Sequence, residues 1–176
     1  LAVLGMASKE LDKMLEMNNK KYECFIANDN SNLQVVVSGL KKDINLLSDD
    51  LNNKKIKNLK LNVSAPFHCK YMKTASEKMT SYINDLNMND LEKPIISNVT
   101  ANETSSSREI KSLLISQIEK KVRWLESVEY MINNGVKNFV EIGPGKVLSG
   151  LIKRINKNVN VNSINSEEDI KLLIND

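Results

Sequence analysis

The 176-residue sequence has few of the features that mark secreted, membrane or nucleic-acid-binding proteins. Its two cysteines, Cys24 and Cys69, form no CxxC pair, which favours free thiols over a disulfide scaffold. No apolar run approaches the length that spans a bilayer, and no signal peptide is visible. The formal charge of +3 is scattered, whereas nucleic-acid binding requires a concentrated basic patch. We therefore predict a cytoplasmic protein that binds neither membrane nor nucleic acid, and we assign no metal ligands.

Glycine is also scarce. The chain has six glycines, and no two of them are four positions apart. The G-x-S-x-G motif that presents the nucleophile of hydrolase-type serine enzymes is therefore absent from these residues. The chain begins without methionine, and residues 1–5 have the pattern of a strand already under way. We expect the sequence to be a piece of a longer chain, with any serine nucleophile located elsewhere.

Aromatic residues make up only 5% of the chain, so its core must come mainly from Leu, Ile, Val and Met. The spacing of these residues predicts strands at 1–5, 22–28, 33–39 and 56–63 and helices at 8–17 and about 40–51. The polar turn 29–32 joins the two middle strands into a hairpin. The order β-α-β-β-α-β is typical of a ferredoxin-like arrangement, which we predict for a small domain at residues 1–63.

Residues 64–176 alternate helices with strands. Helices are predicted at 72–86, 122–134, 146–155 and 167–174, and a further helix is predicted to follow Ser107, which can cap it. Strands are predicted at 94–99, 139–142 and 159–164. The polar run 102–107 is interpreted as a loop. In the first of these helices, Ala75, Met79, Ile83 and Leu86 form one apolar stripe. The alternation predicts a mainly parallel α/β architecture for this second part.

His68 is the only histidine, and it lies in the segment 64–70 between a predicted strand and a predicted helix. Pro66 fixes one backbone angle and keeps the preceding residue out of a helix, so the segment is predicted to be a short rigid turn. Imidazole titrates near neutral pH, which suits a proton shuttle. An isolated histidine more often caps or packs, so the residue type alone does not decide its role.

Two other features have plainer interpretations. The turn 143–146 lies between a strand and a helix, where free amides can hold an anion, but Val147 stands where a P-loop requires serine or threonine. We interpret this turn as a means of close packing. Cys69 adjoins His68, but sequence neighbours rarely form a nucleophile–base pair, so we interpret Cys69 as a plain thiol.

Four ordered motifs extend over nearly the whole chain. They are A-N-D-N at 27–30 with Q-V-V-V-S-G at 34–39, V-S-A-P-F-H-C at 63–69, Gln117 with V-R-W at 122–124, and V-E-I-G-P-G-K-V-L at 140–148 with G-L-I-K-R-I at 150–155. In these motifs the chain resembles malonyl-CoA:acyl carrier protein transacylases. The resemblance implies a ferredoxin-like small subdomain at residues 1–63. It also implies that residues 64–176 are the C-terminal part of a hydrolase-like large α/β subdomain.

The implied reaction is a two-step acyl transfer in fatty-acid biosynthesis. A serine takes malonate from malonyl-CoA as an ester, and the phosphopantetheine thiol of acyl carrier protein then accepts it, with no cofactor bound by the enzyme itself. His68 matches the family's general acid/base, and Gln117 matches the position whose backbone carbonyl orients that imidazole. Phe67 and Asn30 match substrate-binding positions. The ring of Phe67 would crowd a methyl branch, an effect worth ~1–3 kcal/mol.

The chain also departs from the family. The serine elbow, the arginine that pairs the malonyl carboxylate and the oxyanion segment match no residue here, so we expect this chain to be inactive by itself. Asn32-Leu33 replaces a common Pro-Gly, and Lys121 replaces a common proline. One alternative is a non-catalytic module that docks acidic acyl carrier protein through Lys146, Lys153 and Arg154. A third hypothesis is nucleotide binding by the turn 143–146.

Overall fold

The computed structural model describes residues 1–175, and side chains as far as residue 172. The chain divides into two compact units, Leu1–Ser127 and Val128–Asp176. We call them the N-terminal unit and the C-terminal unit. None of the helices in the described part of the chain is long and apolar enough to span a membrane.

The N-terminal unit is built on a four-stranded antiparallel sheet. Its strands are β1 (Ala2–Leu4), β2 (Cys24–Ser31), β3 (Gln34–Gly39) and β4 (Asn58–Leu59), in the order β2-β3-β1-β4. Helix α1 (Ser8–Met17) follows β1, and helix α2 (Lys41–Asn53) follows β3. The predicted order β-α-β-β-α-β, the hairpin and both helices of residues 1–63 are therefore present.

The core of this unit follows from the periodicity of the sequence. In β3, Val35 and Val37 are buried while Val36 between them is not, as the alternation of a strand requires. In α1, Leu11, Met14 and Leu15 form the buried face with helical spacing. The largest side chains that are fully buried in this unit are Val3, Leu11, Val35, Val37, Leu47 and Leu51.

The strand predicted at 56–63 is much shorter in the structure. Only Asn58 and Leu59 pair, and they pair with β1. Because β1 is three residues long, it offers no partner to the rest of the predicted strand. Leu61 and Val63 consequently lie exposed in an irregular segment that leads to the His68 turn.

The remainder of the N-terminal unit is more irregular than predicted. A 3-10 turn (Lys70–Met72) leads into α3 (Lys73–Asp85), β5 (Ile95–Ile96) pairs antiparallel with β6 (Glu103–Thr104), and α4 (Ser107–Ser116) follows. β6 falls in the run 102–107, which was predicted to be a loop. The sequence did not indicate this strand, because its two polar residues show no alternation of apolar and polar side chains. Of the predicted apolar stripe, Ile83 is buried in α3, whereas Met79 in the helix and Leu86 at its C-cap are exposed.

The cap of α4 also differs from the prediction. Ser106, not Ser107, occupies the cap position, and its hydroxyl accepts a hydrogen bond from the amide of Glu109. Either serine of the run could have served, because both precede the apolar residues of the helix. With Ser106 as the cap, Ser107 is the first residue of the helix, and its amide donates to the carboxylate of Asp90 at 2.7 Å.

Helix α5 (Trp124–Asn133) starts in the N-terminal unit and ends in the C-terminal unit, where Gly135 follows with a φ of +90°. The C-terminal unit contains β7 (Asn138–Ile142), α6 (Val147–Ile155), β8 (Asn160–Ile164) and α7 (Glu167–Asn175). β7 and β8 pair in parallel across the α6 connection. The parallel pairing predicted for residues 64–176 is thus found in this unit, whereas β5 and β6 are antiparallel.

Asp29 is a carboxyl group enclosed in the N-terminal unit. It is 6% exposed, and its Oδ1 finds no hydrogen-bond partner among the described residues. Burial raises the pKa of Asp29, and the Ser8 hydroxyl and the charge of Lys121 offset only part of that rise. Because the folded-state pKa exceeds the unfolded-state pKa, the stabilisation from the protonated group is complete in acid and is lost as pH rises through the folded-state pKa.

Asp29→Asn is therefore expected to raise the melting temperature at pH 7 by roughly 2–4 °C, since it removes a buried charge. The gain should be smaller at pH 4 than at pH 7, because the raised pKa of Asp29 favours the protonated, uncharged carboxyl as the pH falls. Thermal unfolding at both pH values measures this. Asp90→Asn is the control, because the Ser107 amide lowers the pKa of Asp90 and no gain is expected there. Equal melting temperatures for Asp29→Asn and the wild type at pH 7 would contradict the prediction.

Candidate active site

His68 adopts an unusual backbone conformation. It follows Pro66 in the turn and has a φ of +60°, in the left-handed region. For a residue with a side chain this conformation costs about 1–2 kcal/mol, so surrounding contacts must hold it. Such outliers concentrate at functional sites.

The imidazole of His68 contacts the backbone of Gln117. Its Nδ1 lies 2.8 Å from the Gln117 carbonyl oxygen. That carbonyl is at the end of α4, where the last carbonyls of a helix lack partners within the helix. A carbonyl can only accept, so Nδ1 carries the proton and Nε2 of the neutral ring is free to accept another. The structure therefore brings these two residues together, although they are 49 positions apart in the sequence.

Gln117 is held from several directions. Its amide donates to the Leu113 carbonyl at 2.9 Å, and its side-chain Oε1 accepts from Nδ2 of Asn98 at 3.2 Å. Downstream, the Val122 amide donates to the Ala27 carbonyl at 2.8 Å and ties this segment to β2. Asn98 could not be identified from the sequence, because nothing near it indicates a partner 19 residues away.

A cavity of about 270 Å³ lies beside His68 within the N-terminal unit. Asn30, Phe67 and His68, three of the predicted site residues, all line it, and most of the remaining wall is apolar. The half-buried imidazole also borders a second cleft of about 580 Å³, whose walls carry Lys120, Glu119 and other charges of both signs. The ring is therefore accessible to a reactant and is not sealed in the core.

The turn itself is tied at its main chain. The Ser38 hydroxyl donates to the Phe67 carbonyl at 2.6 Å, and the Cys69 thiol donates to the Pro66 carbonyl at 3.0 Å. Ser38 lies on β3, and the sequence gives no sign of this contact, because the residue has no motif of its own beyond the quoted Q-V-V-V-S-G.

Glu23 contacts the residues that follow the His68 turn. Its carboxylate pairs with the Lys70 ammonium and accepts from the Tyr71 hydroxyl, and both contacts lower the pKa of Glu23. The Lys70 ammonium lies 5.4 Å from the centre of the Phe25 ring, and Phe25 and Tyr71 pack edge to face at 5.9 Å. These exposed contacts link the residues after His68 to the region of β2.

Both cysteines are free thiols in buried positions. Burial raises the pKa of Cys69, and burial raises the pKa of Cys24 to about 12. The reactive thiolate is therefore disfavoured at neutral pH, which supports the interpretation of Cys69 as a plain thiol. Among the residues that the structure describes, no group of three or more His, Cys, Asp or Glu could hold a metal ion.

In the C-terminal unit, amides of the turn 143–146 and of the first turn of α6 already have hydrogen-bond partners. The Glu141 carboxylate accepts from the amides of Leu148 at 3.0 Å and Ser149 at 2.7 Å, and Asn165 accepts from the Gly145 amide at 2.6 Å. A phosphate would have to displace this internal carboxylate, so the geometry disfavours nucleotide binding. The Lys153 ammonium, part of the alternative docking surface, donates to the Val159 carbonyl at 2.6 Å.

Comparison with known proteins gives a consistent result. No family model matches the sequence. The chain is 41% identical over 176 residues to the malonyl CoA-acyl carrier protein transacylase of Staphylococcus aureus (strain MSSA476), a match that covers 97% of this chain and 56% of that protein. It superposes on the crystal structure of an acyl-carrier-protein-S-malonyltransferase from Bartonella henselae with a TM-score of 0.93 and 35% identity, covering 99% of this chain and 56% of the other.

A third match is to a structure of a malonyl-transacylase in complex with its type II PKS acyl-carrier protein. The identity is 30% and the TM-score 0.91, over 99% of this chain and 57% of that one. The chain thus spans a little more than half the length of the proteins it matches. Over that span, the sequence and the mixed α/β fold both match malonyl CoA-acyl carrier protein transacylases, and this chain is a homologue of these proteins.

Proposed function

We propose that this chain supplies the general acid/base of a malonyl transfer site. In this proposal His68 is that residue, and the Gln117 carbonyl is the acceptor that orients its ring. The observation that carries the proposal is the 2.8 Å contact between Nδ1 and that carbonyl, which directs the unprotonated Nε2 away from Gln117. A base must present a lone pair to the hydroxyl it activates, and this arrangement leaves one available.

The proposed reaction has two halves. A serine hydroxyl attacks the thioester carbon of malonyl-CoA, its proton passes to Nε2 of His68, and the carbon–sulfur bond breaks to release coenzyme A, whose sulfur takes the proton back. The phosphopantetheine thiol of acyl carrier protein then gives its proton to Nε2 and attacks the serine ester, and the serine oxygen leaves with that proton. The serine is not assigned to any of these 176 residues, because no G-x-S-x-G occurs among them.

The same proposal assigns substrate and partner. Phe67 and Asn30 would contact the acyl group, which is supported by their position in the lining of the 270 Å³ cavity beside His68. Acyl carrier protein is the proposed acceptor, which is supported by the related malonyl-transacylase whose structure holds such a protein. The carrier protein would bring the phosphopantetheine, and the enzyme itself would bind no cofactor. The role in fatty-acid biosynthesis and the cytoplasmic location stay predictions.

The proposal extends to the architecture. Residues 1–63 would form the ferredoxin-like small subdomain, supported by the β-α-β-β-α-β order and the strand order β2-β3-β1-β4. Residues 64–176 would form the C-terminal part of a hydrolase-like large subdomain, supported by the parallel pair in the C-terminal unit.

The test uses two proteins. The first is the 176-residue chain alone, and the second, here called the chimera, is the Staphylococcus aureus transacylase with its matching segment replaced by these residues. The chain alone is expected to transfer no malonyl above background, because it contains no nucleophile elbow. The chimera is expected to transfer malonyl from malonyl-CoA to holo acyl carrier protein, since it restores a serine opposite His68.

Malonyl transfer by the isolated chain, with contaminating enzyme excluded by intact mass, would refute the first expectation. A folded but inactive chimera would refute the second. In that case, acyl carrier protein binding that is retained by the chimera and lost on charge reversal of Lys146, Lys153 and Arg154 would favour the non-catalytic docking module.

A further inference from the structure

The turn that carries His68 is held on both sides of that residue. On the side-chain side, Nδ1 donates to the Gln117 carbonyl at 2.8 Å. On the main-chain side, the Ser38 hydroxyl donates to the Phe67 carbonyl at 2.6 Å, from a strand 29 residues away. Nothing in the proposed reaction requires Ser38, so its contact with this turn calls for a separate explanation.

The Phe67 carbonyl and the His68 amide belong to one peptide plane. A donor that fixes the carbonyl oxygen therefore fixes the rotation of that plane, and with it the direction in which the His68 side chain leaves the backbone. His68 has a φ of +60°, which a residue with a Cβ abandons readily when its peptide plane can rotate. The Ser38 hydrogen bond opposes this rotation, because a turned carbonyl would lose its donor.

We propose that Ser38 is a positioning residue for His68: by holding the Phe67 carbonyl, it keeps the imidazole directed at Gln117 and the proton on Nδ1. Ser38 lines the same cavity as Phe67 and His68, so this residue borders the proposed site. Only the kinetic consequence of this inference rests on the proposed function. The tautomer of the ring is a property of the chain itself.

A single histidine in 176 residues makes the tautomer directly measurable. With ¹⁵N-labelled histidine, all imidazole signals come from His68, and the two ring nitrogens differ widely in chemical shift when one tautomer dominates. At alkaline pH, where imidazole is neutral, the wild-type chain is expected to show one tautomer with the proton on Nδ1. Ser38→Ala is expected to bring the two shifts towards each other as the other tautomer becomes populated.

Two variants serve as controls. Ser38→Thr keeps the hydroxyl and is expected to restore the wild-type signals. Ser64→Ala removes an exposed serine from the same segment, and Ser64 makes no hydrogen bond with the residues that the structure describes, so the wild-type tautomer should persist. Thermal unfolding of each variant separates loss of the fold from a change confined to the ring.

The chimera gives an independent kinetic measurement. There, Ser38→Ala is expected to lower kcat about 10-fold with little change in the KM for malonyl-CoA, because a misdirected base impairs proton transfer and leaves substrate binding intact. If the unmodified chimera is inactive, the proposed function fails, whereas the NMR experiment on the 176-residue chain still decides the role of Ser38.

A Ser38→Ala chain that is less stable but keeps the single Nδ1–H tautomer would overturn the inference and make Ser38 a structural contact only. Unchanged kcat in an active chimera would overturn it as well. If Ser38→Ala does not fold, Ser38→Cys takes its place, since a thiol is a weak donor, and the same convergence of the two nitrogen shifts is then required.

Discussion

His68→Ala in the chimera is expected to lower kcat for malonyl transfer by roughly 10²–10⁴-fold, the usual contribution of a general acid/base. The KM for malonyl-CoA should change little, because the proposed role of the imidazole is proton transfer and not substrate binding. No other histidine of this chain can replace it. Steady-state transfer to holo acyl carrier protein gives both constants.

Gln117→Ala is the matched control for this prediction. It retains the main-chain carbonyl that accepts from Nδ1 and removes only the side-chain contact with Asn98, so most of the activity should remain. Activity that survives His68→Ala would eliminate the proposed base. A loss in Gln117→Ala as large as that in His68→Ala would show that the side chain of Gln117, and not its carbonyl, is essential.

Phe67→Ala in the chimera is expected to raise the use of methylmalonyl-CoA relative to malonyl-CoA by roughly 10- to 200-fold, the range for one methyl group in a fitted site. The ring lines the cavity beside His68 and is 43% exposed, so its removal should open space without a large loss of stability. The measurement is the ratio of kcat/KM for the two substrates.

Tyr82→Ala is a suitable control, because Tyr82 is an exposed aromatic residue of α3 and does not line this cavity. It should leave the ratio unchanged. If Phe67→Ala also leaves the ratio unchanged while malonyl transfer continues, then Phe67 does not contact the branch position of the acyl group.

Much of the candidate site could be identified from the sequence. A single histidine after a proline, between a strand pattern and a helix pattern, indicated a rigid turn, and the motifs that accompany it indicated Gln117, Phe67 and Asn30. The structure brings His68 against the Gln117 carbonyl and places the other two around one cavity. The functional roles of all four stay predictions, which the variants above are designed to test.

The contacts that hold the turn could not be found in this way. Ser38 acts on a carbonyl of another segment, and Asn98 acts on a side chain beyond the next helix. Serine and asparagine bond to many partners, and their spacing along the chain carries no information about which one. Their roles become visible only when β3, the His68 turn and the end of α4 are seen in contact.

The sequence by itself determined the helices and strands with strong periodicity, the antiparallel hairpin of β2 and β3, and the parallel pair of the C-terminal unit. These elements follow from the local periodicity of apolar and polar residues, which differs between helices and strands and can be read directly from the sequence. Only the tertiary structure decided that the strand at 56–63 stops after Leu59 and that His68 has a positive φ. Both depend on what lies beside the segment: β1 is too short to pair further, and the left-handed turn persists because Ser38 and Gln117 hold its two sides.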